Sequence, residues 1–123
     1  MGTKALVVDD SAFMRKAVVD ILQDYGVAQS DIVEKSNGEE AIRAALDEKF
    51  DIILMDWNMP GGDGLDALRR IRATGTEIPI VFVTAEGTKE QFAKAFRAGA
   101  SGFVRKPFTP KDLRTKLEAL VPQ

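Results

Sequence analysis

Ile52-Ile53-Leu54-Met55-Asp56-Trp57-Asn58-Met59-Pro60 is an apolar run that stops at one acidic side chain and passes into Gly61-Gly62. A short Ile/Leu-rich run closed by turn residues reads as a strand buried on both faces. Asp56 then sits at the carboxyl end of that strand. In an open α/β sheet, that end borders the crevice where ligands bind, which makes Asp56 a site candidate; taken alone, Asp is also a common opener of turns.

Working outward, Ala5-Leu6-Val7-Val8 is a second strand pattern, stopped by Asp9-Asp10, with Ser11 placed to cap the helix carried by Met14, Ala17, Val18, Ile21 and Leu22 up to Gly26. Ile32-Val33-Glu34-Lys35 is a weaker strand, and Asn37 with Glu40 offers a helix start before Ala41, Ile42, Ala45 and Leu46. Leu65, Leu68 and Ile71 mark a helix, and Ile78 to Val83 a strand ending at Thr84. Lys89 to Ala98 has helical spacing and stops at Gly99; Gly102 to Arg105 is a short strand ended by Lys106-Pro107. Thr109-Pro110-Lys111-Asp112 starts a last helix whose stripe is Leu113, Leu117, Leu120 and Val121. Strand and helix alternate with short connections, which predicts a parallel sheet covered on both faces.

At 123 residues with 45% hydrophobic residues, the expected organisation is one domain over 1–123. Seventeen basic against 19 acidic residues, a net charge of -2, provide no field for recruiting nucleic acid or an anionic membrane. No apolar stretch approaches the roughly 20 residues of a membrane span, and residues 1–4 carry no signal-peptide core, so a cytoplasmic location is expected. Leu6 stands where a myristoylation motif wants Ser or Thr. The absence of Cys removes thiolate nucleophiles and zinc clusters, and the absence of His removes the usual neutral-pH proton shuttle. Chemistry is left to carboxylates, hydroxyls and lysines, groups that suit Mg²⁺ or Mn²⁺.

Asp9, Asp10, Asp56, Thr84 and Lys106 all fall at carboxyl ends of predicted strands, which share one edge of a parallel sheet. Singly, each has an ordinary explanation, since acids commonly cap helices and a lysine can neutralise them. Together, three carboxylates repel by roughly 3 kcal/mol per pair at about 5 Å and an effective dielectric of 20, and call for a cation. A few carboxylates, a backbone carbonyl and waters, with positions spare for phosphate oxygens, is the usual Mg²⁺ arrangement.

The blocks "VVDDS" at 7–11, "ILMDWNMPGGDGL" at 53–65, "VTAE" at 83–86, "AGASGF" at 98–103 and "KPFT" at 106–109 resemble the response-regulator receiver family over nearly the whole chain, and are similar to its single-domain chemotaxis regulators. The resemblance implies a flavodoxin-like (βα)5 fold, a doubly wound five-stranded parallel sheet of order 2-1-3-4-5 with helices on both faces. It implies that Asp56 is the phosphoacceptor, that Asp10 and Asp56 bind Mg²⁺ directly, Asp9 largely through water and Asn58 through its backbone carbonyl, and that Lys106 and Thr84 contact the phosphoryl group. It further implies a cis Lys106-Pro107 bond and, from Asn58 and Glu86, a short-lived acyl phosphate. The implied partners are a sensor histidine kinase or phosphotransfer protein and a protein target such as a flagellar switch component, with no nucleic acid or membrane. The chain would be a monomer open to dimerising when phosphorylated. It would not be an enzyme beyond its own phosphotransfer and autodephosphorylation.

One departure is expected to matter. The chemotaxis regulators couple the Thr to a Tyr on the fifth strand, and Phe103 stands at that position here. Phe92 and Phe96, four apart on the preceding helix, are placed to cover it and to form with it a partly exposed docking patch, although paired aromatics at this spacing also suit a core. Two other classes fit less well. An aspartyl-phosphate phosphatase places its two acids two residues apart, unlike Asp9-Asp10-Ser11, and a flavodoxin would bring its flavin phosphate against Asp9 and Asp10. A receiver that only docks and takes no phosphate is disfavoured by the presence of Asp56 and Lys106.

Overall fold

The computed structural model describes residues 2–60, 63–85 and 87–122. Five parallel strands, β1 (Ala5–Val8), β2 (Ile32–Lys35), β3 (Ile52–Met55), β4 (Ile80–Thr84) and β5 (Gly102–Arg105), form one sheet in the order β2-β1-β3-β4-β5. The helices between and after them are α1 (Ala12–Tyr25), α2 (Gly38–Asp47), α3 (Gly64–Arg72), α4 (Lys89–Ala98) and α5 (Pro110–Leu120). This is the doubly wound order expected from the resemblance.

Alternation along the strands divides the core in two. Leu6, Val8, Ile53, Met55, Ile80 and Phe82 face a layer closed by α2, α3 and Ala95 of α4; Ala5, Val7, Ile52, Leu54, Val81 and Val83 face the layer closed by α1 and α5. Central strands β1, β3 and β4 are buried at every position, whereas edge strand β2 is only partly covered, which is why its sequence signal was weaker.

Local chemistry sets the helix ends. The side chains of Ser11, Asn37, Asp63, Thr88 and Thr109 each accept a hydrogen bond from the backbone N–H three residues on. Gly26 and Gly99 close α1 and α4 with φ of 117° and 110°, a left-handed geometry that a side chain would disfavour. Three details differ from expectation. β4 starts at Ile80 rather than Ile78, because Pro79 lacks an N–H and joins the sheet only through its carbonyl, which accepts from Ile53 N. Glu40 reaches back to Ser36 rather than to Asn37, and a 3-10 turn at Gln29–Asp31 precedes β2.

Candidate functional site

Strand register brings the acids together. Val8 of β1 pairs with Met55 of β3, so the next residues, Asp9 and Asp56, leave the sheet side by side, held by Asp56 N–H donating to the Val8 carbonyl at 2.9 Å and Asp9 N–H to that of Lys35 at 3.1 Å. Thr84 of β4 pairs with Arg105 of β5, and the N–H of the following Lys106 donates to the Thr84 carbonyl at 2.8 Å. Carboxylate oxygens of Asp9, Asp10 and Asp56 lie within 4.8 Å of one another. Lys106 Nζ donates to Asp9 Oδ2 at 2.8 Å and to Asp56 Oδ2 at 3.3 Å, and Lys106-Pro107 is cis.

Burial distinguishes the members. Asp9, Asp56 and Thr84 are buried, Lys106 is half-buried, and Asp10 and Asn58 are exposed. Asp9 is fully engaged: Oδ1 accepts from Ser11 N–H at 2.9 Å, Oδ2 from Lys106, and its carbonyl from Arg15 Nη1 at 2.6 Å. Glu86 lies outside the described residues. The donor set, three hard oxygen groups converging on a point open to solvent through Asp10, fits a hard divalent cation.

The same crowding shifts protonation. Burial pushes the Asp56 carboxyl above its ordinary 3.8, against the pull of Lys106 and with the help of the neighbouring Asp9 charge. For Lys106, burial acts to lower the ammonium's value, but the hydrogen bond to Asp9 and the charges of Asp56 and Asp9 outweigh it and raise it above 10.5. In metal-free protein, folded Asp56 holds its proton more tightly than the unfolded chain does. Its contribution to stability is therefore complete below about 3.8 and is lost as pH rises through the raised value. The Lys106 contribution is complete below 10.5 and disappears only in alkali. With a chelator present, the stability deficit of the wild type relative to Asp56→Asn should accordingly grow as pH rises from about 3.8 through the raised value, as read by urea midpoints. A difference constant over that range would contradict the assignment.

An aromatic cluster leads from this edge to the surface. Trp57 follows Asp56 and packs on Phe82 at a centroid distance of 5.0 Å; Phe103 lies 5.7 Å from Phe82, 6.4 Å from Trp57, 4.3 Å from Phe92 and 5.1 Å from Phe96. Phe96 is 53% exposed, and Phe92 and Phe103 are partly covered.

Sequence reasoning placed the acids, Lys106 and Thr84 on one edge but did not foresee three supporting residues. Arg15 holds the Asp9 carbonyl and also pairs with Glu34 at 3.1 Å; the spacing within α1 makes it look like an ordinary solvated position. Arg105 lies over the Phe92 ring at 5.4 Å, a contact across elements that no local pattern announces. Gly64 packs so closely that a Cβ there would come within 2.7 Å of the Asp56 carbonyl oxygen. The signal available for Gly64 was a glycine opening an otherwise good helix.

Residues 5–118 match the response regulator receiver domain family. The chain is 40% identical over 123 residues to chemotaxis protein CheY1 of Helicobacter pylori, covering 96% of each chain, and 38% identical over 119 residues to chemotaxis protein CheY of Pseudomonas aeruginosa, covering 95% and 94%. Among solved structures, CheY4 of Vibrio cholerae superposes with a TM-score of 0.89 at 32% identity, covering 98% of this chain and all of that one. The receiver domain of the P. aeruginosa sensor histidine kinase PA1611, with a magnesium ion coordinated in its active site cleft, superposes with a TM-score of 0.86 at 28% identity over the full length of both. With its sheet order, its acidic edge and these relatives in agreement, the chain belongs to the response regulator receiver domain family of two-component systems.

Proposed function

We propose that this protein is a cytoplasmic phosphoacceptor switch, a single receiver domain over residues 1–123, in which Asp56 takes a phosphoryl group from a phosphohistidine of a partner kinase or phosphotransfer protein. The observation that carries this reading is the convergence of Asp9, Asp10, Asp56 and Lys106 at one sheet edge. An Asp56 carboxylate oxygen attacks phosphorus, the phosphorus–nitrogen bond breaks, and the imidazole leaves. No general base is needed, because the ionised carboxylate is already nucleophilic. Residues 1–123 contain no His, so the donor histidine lies outside them.

Lys106, which now donates to Asp9 and Asp56, would turn its ammonium to the arriving phosphoryl oxygens, and Thr84 at the end of β4 would offer its hydroxyl. Mg²⁺, with Mn²⁺ as a substitute, would be held by Asp10, Asp56 and the Asn58 carbonyl and, through water, by Asp9, and would supply neutralisation of the phosphoryl charge. The two partners already on the Asp9 carboxylate support its water-mediated role. An apolar groove of Met14, Ile21, Pro107, Phe108 and the 80% exposed Phe13 adjoins Lys106 and gives the phosphodonor protein an apolar footing. Asn58 and Glu86 would set water access, giving a short-lived acyl phosphate.

The test is a titration with Mg²⁺ and acetyl phosphate, watching the fluorescence of Trp57, buried beside Asp56. Saturable quenching by Mg²⁺ and a further change with donor are expected. Mg²⁺ at ten times its Kd should stabilise the fold by about 1.4 kcal/mol, and Asp10→Ala should remove that gain. A melting temperature indifferent to millimolar Mg²⁺ would contradict the site.

Phosphate would be read out through Thr84 and Phe103, whose ring carries the change to Phe92, Phe96 and the α4–β5–α5 face, where a protein target in chemotaxis, such as a flagellar switch component, or a second phosphorylated copy, would dock. Phe103 has no hydroxyl to hold it outside, and the Phe92 and Phe96 rings provide apolar cover instead. Phe96→Ser is expected to weaken phosphate-dependent target binding while costing less than about 1.5 kcal/mol of stability, the scale of one exposed aromatic contact. Phosphorylation of Asp56 should be unaffected. A loss of several kcal/mol would place Phe96 in the core.

A further inference from the structure

We infer that Arg15 is a positioning residue of the acidic edge: by pinning the Asp9 carbonyl it fixes the peptide from which Asp10 departs, and so aims the exposed carboxylate at the cation. This rests on the reading of Asp10 as a Mg²⁺ ligand and names what holds it in place. Asp9 is fixed through its own side chain, with its carboxylate oxygens taken by Ser11 N–H and Lys106 Nζ and its N–H by the Lys35 carbonyl. Asp10 is exposed, and its direction comes from the backbone behind it.

The Asp9 carbonyl and the Asp10 N–H belong to one planar unit, so a group that holds the carbonyl orients the whole unit and leaves free only the torsions at Asp10 itself. Arg15 Nη1 holds that carbonyl at 2.6 Å. The arginine is in turn held at both ends. Its backbone N–H donates to the Ser11 carbonyl at 3.0 Å in the first turn of α1, which starts from the Ser11 cap, and its Nε donates to Glu34 Oε1 of β2 at 3.1 Å. The Arg15 side chain is 19% exposed. It spans from α1 to the edge strand across the end of β1, and the rigid planar fork puts two donors on two different acceptors. A lysine would offer one mobile ammonium to both.

Charge and position predict opposite effects for this residue. A fixed cation beside an acidic edge repels a divalent ion, so if Arg15 acted by its field, removing it would tighten Mg²⁺ binding. If it acts by aiming Asp10, removing it loosens Mg²⁺ in spite of the relieved repulsion. Position wins, because Glu34 offsets the guanidinium's charge while the shorter of its two contacts goes to the carbonyl.

Titration of the metal-free chain with Mg²⁺, followed by Trp57 fluorescence, tests it. Arg15→Met, which keeps an apolar stem, should raise the Kd for Mg²⁺ by about tenfold, the lower end of what losing a group that orients a metal ligand costs. Arg15→Lys, which keeps the charge, should fall between Arg15→Met and the wild type. The ratio of the Arg15→Met and wild-type Kd values should persist in about 1 M KCl, where the fields of surface charges are screened. An unchanged or lower Kd in Arg15→Met, a wild-type Kd in Arg15→Lys, or a ratio that vanishes in high salt would overturn the inference. Urea midpoints in chelator show whether each variant folds, and should Arg15→Met not fold, Arg15→Lys decides by the same criterion. Asp10→Ala separates this inference from the reading on which it rests. If Asp10→Ala leaves the Kd unchanged, the metal site is misassigned and the role of Arg15 falls with it; a raised Kd there, beside wild-type values in the Arg15 variants, would overturn the positioning role alone.

Discussion

Asp56→Asn is expected to abolish phosphate incorporation while stabilising the metal-free protein by about 1–2 kcal/mol near neutral pH. The amide keeps the shape of the side chain but cannot attack phosphorus, and the loss of reaction should be complete rather than partial. The gain in stability follows from burial. Asp56 is 8% exposed and shares Lys106 with Asp9, so its charge is incompletely compensated. Lys106 keeps the shorter of its two contacts, to Asp9, in the variant. Chemical denaturation and phosphorylation by acetyl phosphate check the two halves. A destabilised variant would mean that Lys106 compensates Asp56 more fully than the geometry implies.

The second large effect is expected from a residue with no chemistry of its own. Gly64 opens α3, donates its N–H to the Trp57 carbonyl at 2.6 Å, and lies where a Cβ would meet the Asp56 carbonyl oxygen and a Phe82 ring carbon, each at 2.7 Å. Asp56 and Trp57 present backbone atoms there, which cannot swing aside as a flexible side chain would. Gly64→Ala should therefore cost about 1–3 kcal/mol by overpacking. It should also slow phosphorylation by more than about tenfold, because a displacement near 1 Å at a reacting group can cost 10²-fold. Gly38→Ala is the control: a Cβ there meets only Ala67 Cβ, at an ordinary 3.7 Å, and the rate should be unchanged. Wild-type phosphorylation in Gly64→Ala would show that Asp56 tolerates the shift.

Much of this was legible in the residues because the fold writes its site in strand ends. Buried parallel strands read as apolar runs, and the polar residue that stops each run lies on the ligand edge; Asp9, Asp56, Thr84 and Lys106 were all visible in this way. Cap chemistry was equally local, with Ser11, Asn37 and Thr109 acting as their types suggest. What was not legible depends on distances between elements far apart in the chain. Arg15 on the Asp9 carbonyl, Arg105 over Phe92 and Arg72 on Gly99 are cations whose sequence surroundings look like any solvated face. The exposure of Phe96 against the partial burial of Phe92 was open for a related reason: a pattern of aromatics four apart gives a helix face but not how far the sheet covers it.

The central claim is that Asp56 accepts phosphate. Incubation of the chain with Mg²⁺ and acetyl phosphate, followed by borohydride reduction and peptide mass spectrometry, tests it most directly. A reduced acyl phosphate at position 56, dependent on Mg²⁺ and absent from Asp56→Asn, is the result predicted; phosphate on another residue, or none at any donor concentration, would contradict the account.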